Sequence, residues 1–227
     1  MFTLHSLDDA DRFRQYIVSD SVKRVVIVGG GYVGVEVSEA LRRLEREVIV
    51  VDHHEHLLWH MLDRDVAEHV ERTLVESGVE LVMGKHAVSL EGRDGKARRS
   101  ILEGGEVVEG DAFPLAMGVR PCIELAERVG ARLGVTGAIW VDERMRTSVN
   151  DVYAVGDCVE TRDLVAGEPV RMPFAPTANK MGYVAGTNVA GRDAKFPGRG
   201  QNQCHSIYGH HSSGHGAHGE GGAEKSI

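Results

Sequence analysis

Three glycines and one carboxylate are the residues whose types and spacing first point to chemistry in this sequence. Gly29, Gly31 and Gly34 form a G-x-G-x-x-G pattern within "IVGGGYVGVE". In such a pattern the first glycine permits a tight turn, and the second lets the backbone approach a pyrophosphate without an intervening Cβ. The third allows close packing of a helix on a strand. The pattern predicts a dinucleotide-binding turn, with a purely structural glycine turn as the alternative.

Asp52 stands at the end of the next apolar run, "EVIVVD". A carboxylate at the end of the second strand of such a unit accepts hydrogen bonds from the adenosine ribose. It also repels a 2′-phosphate, so Asp52 favours NADH over NADPH.

The loop "DHHEHLLWH" that begins with Asp52 leaves further readings open. His53 and His54, if protonated, could contact a phosphate. His54, His56 and His60 could bind a metal ion, but their spacing resembles no zinc motif. We interpret the segment as a solvated loop and predict no metal site.

Alternating strands and helices must position these residues. Continuous apolar runs predict buried parallel strands, and apolar residues at helical spacing predict the helices between them. The predicted order is β-α-β-α-β, a crossover unit that is nearly always right-handed. It follows a first helix at Asp8–Ile17 and comprises Val25–Val28, Tyr32–Leu44, Glu47–Val51, Asp63–Glu76 and Glu80–Met83.

The pattern changes after Gly84. The turn signals "GRDG" and "EGG" predict an antiparallel meander over Val88–Val108, after which the sheet resumes at Phe113–Ala116. Two short strands are predicted next, at Ile139–Val141 and Val152–Val155, followed by a helix over Phe174–Ala190.

Composition limits the function classes. The chain has 227 residues and a net charge of −8, which argues against a nucleic-acid partner. Its three cysteines are far apart and form no C-x-x-C motif, so we expect a reducing, cytoplasmic setting. No apolar run approaches the roughly 20 residues of a membrane-spanning helix, so no membrane association is expected.

Four motifs in a fixed order carry a family resemblance. "GGGYVGVE", "AMGVRP", "TSVNDVYAVGDC" and "FAPTANKMGYVAGTNVAG" together resemble the FAD-dependent pyridine nucleotide-disulfide oxidoreductases. Within that family the chain is most similar to the branch of coenzyme A-disulfide reductases, NADH oxidases and NAD(P)H sulfur reductases. The resemblance implies an α/β fold: a Rossmann-like three-layer nucleotide-binding domain, with a parallel sheet and an antiparallel meander, followed by the second half of an FAD-binding domain.

The resemblance also implies roles for particular residues. Glu36 would lie near the nicotinamide, although an acid in the first turn of a helix is favourable in any case. Asp157 would accept a hydrogen bond from the FAD ribityl chain, with a turn or cap aspartate as the alternative. The implied NAD contacts are Gly29, Gly30, Gly31, Tyr32, Val33, Gly34, Glu36, Asp52 and Gly118, and the implied FAD contacts are Gly156, Asp157, Ala175 and Pro176.

Other family features find no match in the chain. The family's first glycine turn for FAD, its redox cysteine and its dimerisation domain are not recognised, and neither Cys122 nor Cys158 stands in the redox position. We therefore expect a fragment, with a linker at 1–7, an NAD(P)-binding domain at 8–118, a partial FAD-binding domain at 119–197 and a disordered tail at 198–227.

The parent reaction implied by the resemblance passes a hydride from NAD(P)H to FAD. The electrons then go to a disulfide (coenzyme A disulfide or polysulfide) or to O2. The alternative is a non-catalytic NAD(H)-binding fragment. Full-length relatives are expected to be homodimers.

Overall fold

The computed structural model describes residues 1–199 and, for the backbone alone, residues 203–207 and 210–214. The chain divides into two compact units, and the boundary falls between Gly118 and Val119. In chain order the first unit contains β1 (Phe2–Thr3), α1 (Leu7–Ile17), β2 (Arg24–Val28), α2 (Tyr32–Arg43), β3 (Glu47–Val51), α3 (Arg64–Glu76), β4 (Val79–Val82), β5 (Ala87–Arg93), β6 (Lys96–Leu102), β7 (Val107–Glu109) and β8 (Pro114–Leu115).

A five-stranded sheet lies at the centre of the first unit. Its order is β1-β8-β2-β3-β4, and every neighbouring pair is parallel. Val25, Val26 and Ile27 have no exposed surface, as expected of a strand that is covered on both faces. The predicted β-α-β-α-β order is confirmed.

Helices cover one face of this sheet. Val25, Ile27, Val48 and Val50 pack in one apolar cluster with residues of α1, α2 and α3. The helices bury their inward residues at helical spacing, such as Val70 and Leu74 of α3.

The antiparallel meander covers the opposite face. Val26, Ile49 and Val51 pack there with Leu102 and Val108. Strands β5, β6 and β7 form this three-stranded sheet. The three layers are therefore helices, parallel sheet and meander, as the fold class predicted.

The N-terminal residues differ from the linker predicted at 1–7. Phe2 and Thr3 pair with Pro114 and Leu115 and extend the sheet. The reason is packing, because the Phe2 ring lies 5.2 Å from the Phe13 ring and 5.0 Å from the Tyr16 ring.

The second unit contains α4 (Glu124–Arg128), β9 (Ile139–Trp140), β10 (Val159–Arg162), β11 (Pro169–Val170) and α5 (Ala175–Val189). Strand β10 pairs with β9 in parallel and with β11 antiparallel. The prediction of a strand at Val152–Val155 was wrong. Residues there form only a local pairing, with the Thr147 amide donating to the Val152 carbonyl at 2.9 Å and the Ala154 amide donating to the Met145 carbonyl at 3.1 Å.

Composition predicted disorder over 198–227, and within that range the structure describes residues 198–199 and the backbone of 203–207 and 210–214. Two strands, β12 (Gln203–Ile207) and β13 (His210–Gly214), pair with each other. Gly198 and Arg199 are also described, whereas the rest of that range lies outside the described residues. Within the described part of the chain, no helix has the length and apolar character needed to cross a membrane.

Candidate dinucleotide-binding site

The first and third glycines of the turn are required by the backbone itself. Gly29 has φ of 114°, and a Cβ there would overlap the carbonyl oxygen of Ala116. A Cβ on Gly34 would overlap the carbonyl oxygen of Gly29, because α2 packs directly on the end of β2. These two positions exclude side chains whether or not a ligand binds.

Gly31 is different, because its backbone demands no glycine. It has φ of −77° and ψ of −172°, an ordinary extended conformation, and a Cβ there would meet no atom within 4 Å. Gly31 is also the N-cap of α2, and no side chain caps that helix. The first amides of a helix lack intrahelical acceptors, so they and the helix dipole favour an anion at this point.

Asp52 connects the glycine turn to the loop that follows β3 through side-chain hydrogen bonds. Its Oδ2 accepts a hydrogen bond of 2.5 Å from the Gly30 amide. Its Oδ1 accepts one of 2.8 Å from the His54 amide and lies 2.8 Å from His54 Nδ1. The residue is 9% exposed. Burial raises the pKa of Asp52, but the hydrogen bonds from His54 and Gly30 outweigh it, so the pKa lies below its usual value.

The loop after Asp52 is not the solvated loop that the sequence predicted. Leu57 is fully buried and Leu58 is 6% exposed, so two of its apolar residues belong to the core. The Leu58 amide donates to the Gly30 carbonyl at 3.0 Å, and Leu58 adopts φ of 55° to do so. The loop therefore folds back over the glycine turn.

A cavity of about 460 Å³ lies between the glycine turn and this loop. Its size falls within the range of small-molecule sites. Five of the residues predicted to bind NAD line it, namely Gly29, Gly30, Gly31, Asp52 and Gly118. Sequence reasoning offered His53 and His54 of the loop as phosphate contacts, but it missed the wall that they form with His56, Trp59, His60 and Met61. The adjacent apolar pair "LL" in a polar segment was the available signal.

The remaining predicted NAD residues lie on α2 rather than in this cavity. Val33 and Glu36 are exposed, and Gly34 is buried against β2. Partial burial and the Tyr32 hydroxyl's hydrogen bond to Glu36 raise the pKa of Tyr32. The two side chains thus meet on the first turns of α2.

In the second unit, the four predicted FAD residues fall into two neighbouring groups. Gly156 has φ of 86°, and a Cβ there would lie 3.7 Å from the Cβ of Ala178 in the first turn of α5. The turn at Gly156 therefore lies against the start of the helix that carries Ala175 and Pro176. Asp157 is exposed there.

The two described cysteines have different surroundings. Cys122 is exposed. Cys158 is partly buried, and burial raises the pKa of its thiol, opposite to the shift that an activated thiolate needs.

Comparisons with known proteins point to one family. The sequence profile described as "Pyridine nucleotide-disulphide oxidoreductase" matches residues 1–182. A protein of Pyrococcus abyssi named "NAD(P)H sulfur oxidoreductase (CoA-dependent)" is 41% identical over 198 residues, which cover 87% of this chain and 44% of that protein.

Two solved structures have the same fold. A NAD-dependent persulfide reductase from A. fulgidus superposes with a TM-score of 0.91 at 37% identity, covering 96% of this chain and 40% of that one. An FAD-dependent pyridine nucleotide-disulphide oxidoreductase from Desulfovibrio vulgaris gives a TM-score of 0.86 at 34% identity, covering 95% and 54%.

The chain thus spans about half the length of these relatives or less. The matched profile nevertheless covers most of the chain, and it includes both the glycine turn and the turn at Gly156. This chain belongs to the pyridine nucleotide-disulphide oxidoreductase family.

Proposed function

We propose that the cavity beside the glycine turn binds the adenosine diphosphate portion of NADH, and that the chain functions in an FAD-dependent oxidoreductase reaction. In that reaction NADH gives a hydride to FAD, and the electrons pass on to a disulfide or to O2. FAD supplies the redox chemistry when bound, and this chain's residues bind and orient the two cofactors.

The open space at Gly31 is the observation that carries the proposal. Neither packing nor φ explains a glycine there. A pyrophosphate at the start of α2 does explain the glycine. The phosphate oxygens would occupy the space of a Cβ and accept hydrogen bonds from the uncapped amides. The cavity that opens beside this turn has room for the adenosine.

Asp52 supports NADH rather than NADPH as the donor. An ionised carboxylate has about four lone-pair sites, and the Gly30 and His54 donors leave capacity for a ribose hydroxyl. A 2′-phosphate at the same place would meet the negative charge of Asp52. Its lowered pKa keeps that charge at neutral pH.

The residues of the second unit fit the ribityl side of FAD. The Asp157 carboxylate is exposed, so it can accept a hydrogen bond from a ribityl hydroxyl. The start of α5, with Ala175 and Pro176, lies beside the same turn and also has no side-chain cap. We place the flavin pyrimidine there, with Glu36 nearer the nicotinamide.

The acceptor is proposed from the relatives. Their names include a CoA-dependent sulfur oxidoreductase and a persulfide reductase, so a disulfide, coenzyme A disulfide or polysulfide is the proposed acceptor, with O2 as the alternative of the same branch. The competing function is NADH binding without turnover. We propose a cytoplasmic location and a homodimeric full-length enzyme.

Calorimetric titration with NADH and NADPH, followed by an absorption spectrum after incubation with FAD, tests the proposal. NADH should bind more tightly than NADPH, and retained flavin absorbance with NADH consumption would favour the oxidoreductase over the binding function. A colourless protein that binds NADH would favour the binding function. Failure to bind NADH would refute both.

A further inference from the structure

Two histidines converge on the Asp52 carboxylate inside the candidate cavity. His54 Nδ1 lies 2.8 Å from Asp52 Oδ1, and His53 Nδ1 lies 3.5 Å from the same oxygen. The two imidazole rings are 3.8 Å apart between centroids. One ligand atom from each of these three residues lies within 4.8 Å of the other two.

This spacing matches the needs of a transition-metal ion. Zn–N and Zn–O bonds of about 2.1 Å at tetrahedral angles separate two ligand atoms by roughly 3.4 Å. The separation of His53 from the Asp52 oxygen is already close to that value, and the shorter His54 contact opens by a small side-chain rotation. The sequence showed no zinc spacing because two ligands adjacent in sequence resemble no known motif.

The backbone holds the carboxylate in position for such a role. The His54 amide bonds to Asp52 Oδ1 in a side-chain-to-backbone turn, which brings the following imidazoles back onto the carboxylate. The Gly30 amide holds the other oxygen. Outer hydrogen bonds of this kind orient metal ligands and fix their geometry.

The site is accessible from the cavity and has room for a fourth ligand. The His53 side chain is 59% exposed and that of His54 is 24% exposed. The His86 ring lies 5.7 Å from the His53 ring, across the same cavity. His86 or a water molecule can complete a tetrahedral set.

We propose that Asp52, His53 and His54 form a binding site for a divalent transition-metal ion such as Zn²⁺, and that the bound ion competes with NADH for the Asp52 carboxylate. Two imidazoles with one carboxylate favour Zn²⁺ and its neighbours over Mg²⁺ and Ca²⁺, which prefer oxygen ligands. The competition rests on the proposed function, because it requires the NADH ribose to bind the same carboxylate. The metal site itself does not depend on NADH binding.

The test measures NADH affinity of the full chain by calorimetry with and without Zn²⁺. If the ion binds with a Kd of about 10 μM, about 100 μM Zn²⁺ should raise the apparent Kd of NADH roughly tenfold. The same concentration of Mg²⁺ should change it by less than about twofold.

Two variants locate the effect. The double substitution His53→Asn with His54→Asn should abolish the effect of Zn²⁺, judged against that variant's own NADH affinity without metal. The end of the chain is rich in histidine, a common metal ligand, so a second variant controls for metal binding there and should keep the full effect. It replaces by Asn the residues His205, His210, His211, His215 and His218.

The outcomes separate the two proposals. If NADH binds and Zn²⁺ leaves its affinity unchanged, or acts equally on the double variant, the metal proposal fails and the proposed function stands. If NADH does not bind, the proposed function fails, and Co²⁺ absorption bands in the second variant decide the metal site. Bands that disappear on adding His53→Asn with His54→Asn would support it, and absence of bands would overturn it.

Discussion

Replacing Gly31 by alanine should separate ligand binding from folding. A Cβ at this position meets nothing within 4 Å, and the backbone is in an extended region open to any residue. The cost to folding is limited to the weaker N-cap, about 0.5–1 kcal/mol. The added methyl group would instead stand where we place the pyrophosphate.

The expected loss of affinity follows from the contacts that the methyl group blocks. A hydrogen bond to a charged group contributes about 1.5–3 kcal/mol. Losing two of them from the uncapped amides of α2 raises the Kd of NADH by at least about 100-fold, since 1.4 kcal/mol corresponds to tenfold. Calorimetric titration measures this change, and thermal unfolding should show a Tm lower by only a few degrees, about 2–6 °C.

Gly34→Ala and Gly182→Ala are the matched controls. A Cβ on Gly34 would overlap the Gly29 carbonyl, so that variant should lose about 1–3 kcal/mol of unfolding free energy. Gly182 lies within α5 with open space around it, so its variant should keep full NADH affinity and gain slightly in stability. If Gly31→Ala binds NADH within about threefold of the wild type, the turn is structural and the proposed function is wrong.

Three further outcomes are expected. Asp52→Ala should reduce the preference for NADH over NADPH, measured by titration with both, whereas an unchanged preference would remove Asp52 from the ribose site. The folded-state pKa of Asp52 is lowered, so its contribution to stability is present above about pH 4 and is lost as the pH falls through the folded value. In urea unfolding, the advantage of the wild type over Asp52→Asn should therefore shrink below about pH 4, and a constant difference would contradict the assignment. Iodoacetamide should alkylate the exposed Cys122 faster than Cys158, whose thiol has a raised pKa, and peptide mass spectrometry would detect the reverse order.

The sequence predicts the first unit well because its elements carry local signals. The strands over Arg24–Val28 and Glu47–Val51 are continuous β-branched runs, and the helix after Gly31 begins at a glycine turn. These elements would form the same structure in many contexts. Their bounds differ from the predicted ones by at most one residue.

Short elements escape sequence analysis because their partners are distant in the chain. Phe2–Thr3 forms a strand only by pairing with Pro114–Leu115. Val159–Arg162 pairs with Ile139–Trp140, and a segment of four residues is too short to show a periodicity that would predict this strand. By contrast, Val152–Val155 is apolar enough to resemble a strand but bonds locally to residues 145–147.

The candidate site was predicted in part for the same reason. Gly29, Gly31, Gly34 and Asp52 follow from spacing alone, since the glycines stand in a strand-turn-helix pattern and Asp52 stands at the end of the next strand. The wall of the cavity depends on the Leu58 amide reaching the Gly30 carbonyl, a contact between segments that are far apart in sequence. Because of that contact, the polar segment lines the site, and its amino-acid composition alone does not predict this position.

Asp52 links folding, nucleotide binding and the proposed metal site, so its variants alter all three at once. Any ligand at this carboxylate must keep the hydrogen bond from the Gly30 amide and that from the His54 amide, because these hold the turn and loop together. The bond to the His54 ring is the one that a ribose hydroxyl or a metal ion can replace at little structural cost. Substitution of the His54 ring therefore perturbs ligand exchange while leaving both backbone bonds in place. Asp52→Ala removes all three, and its effect on binding is interpretable only beside its unfolding free energy.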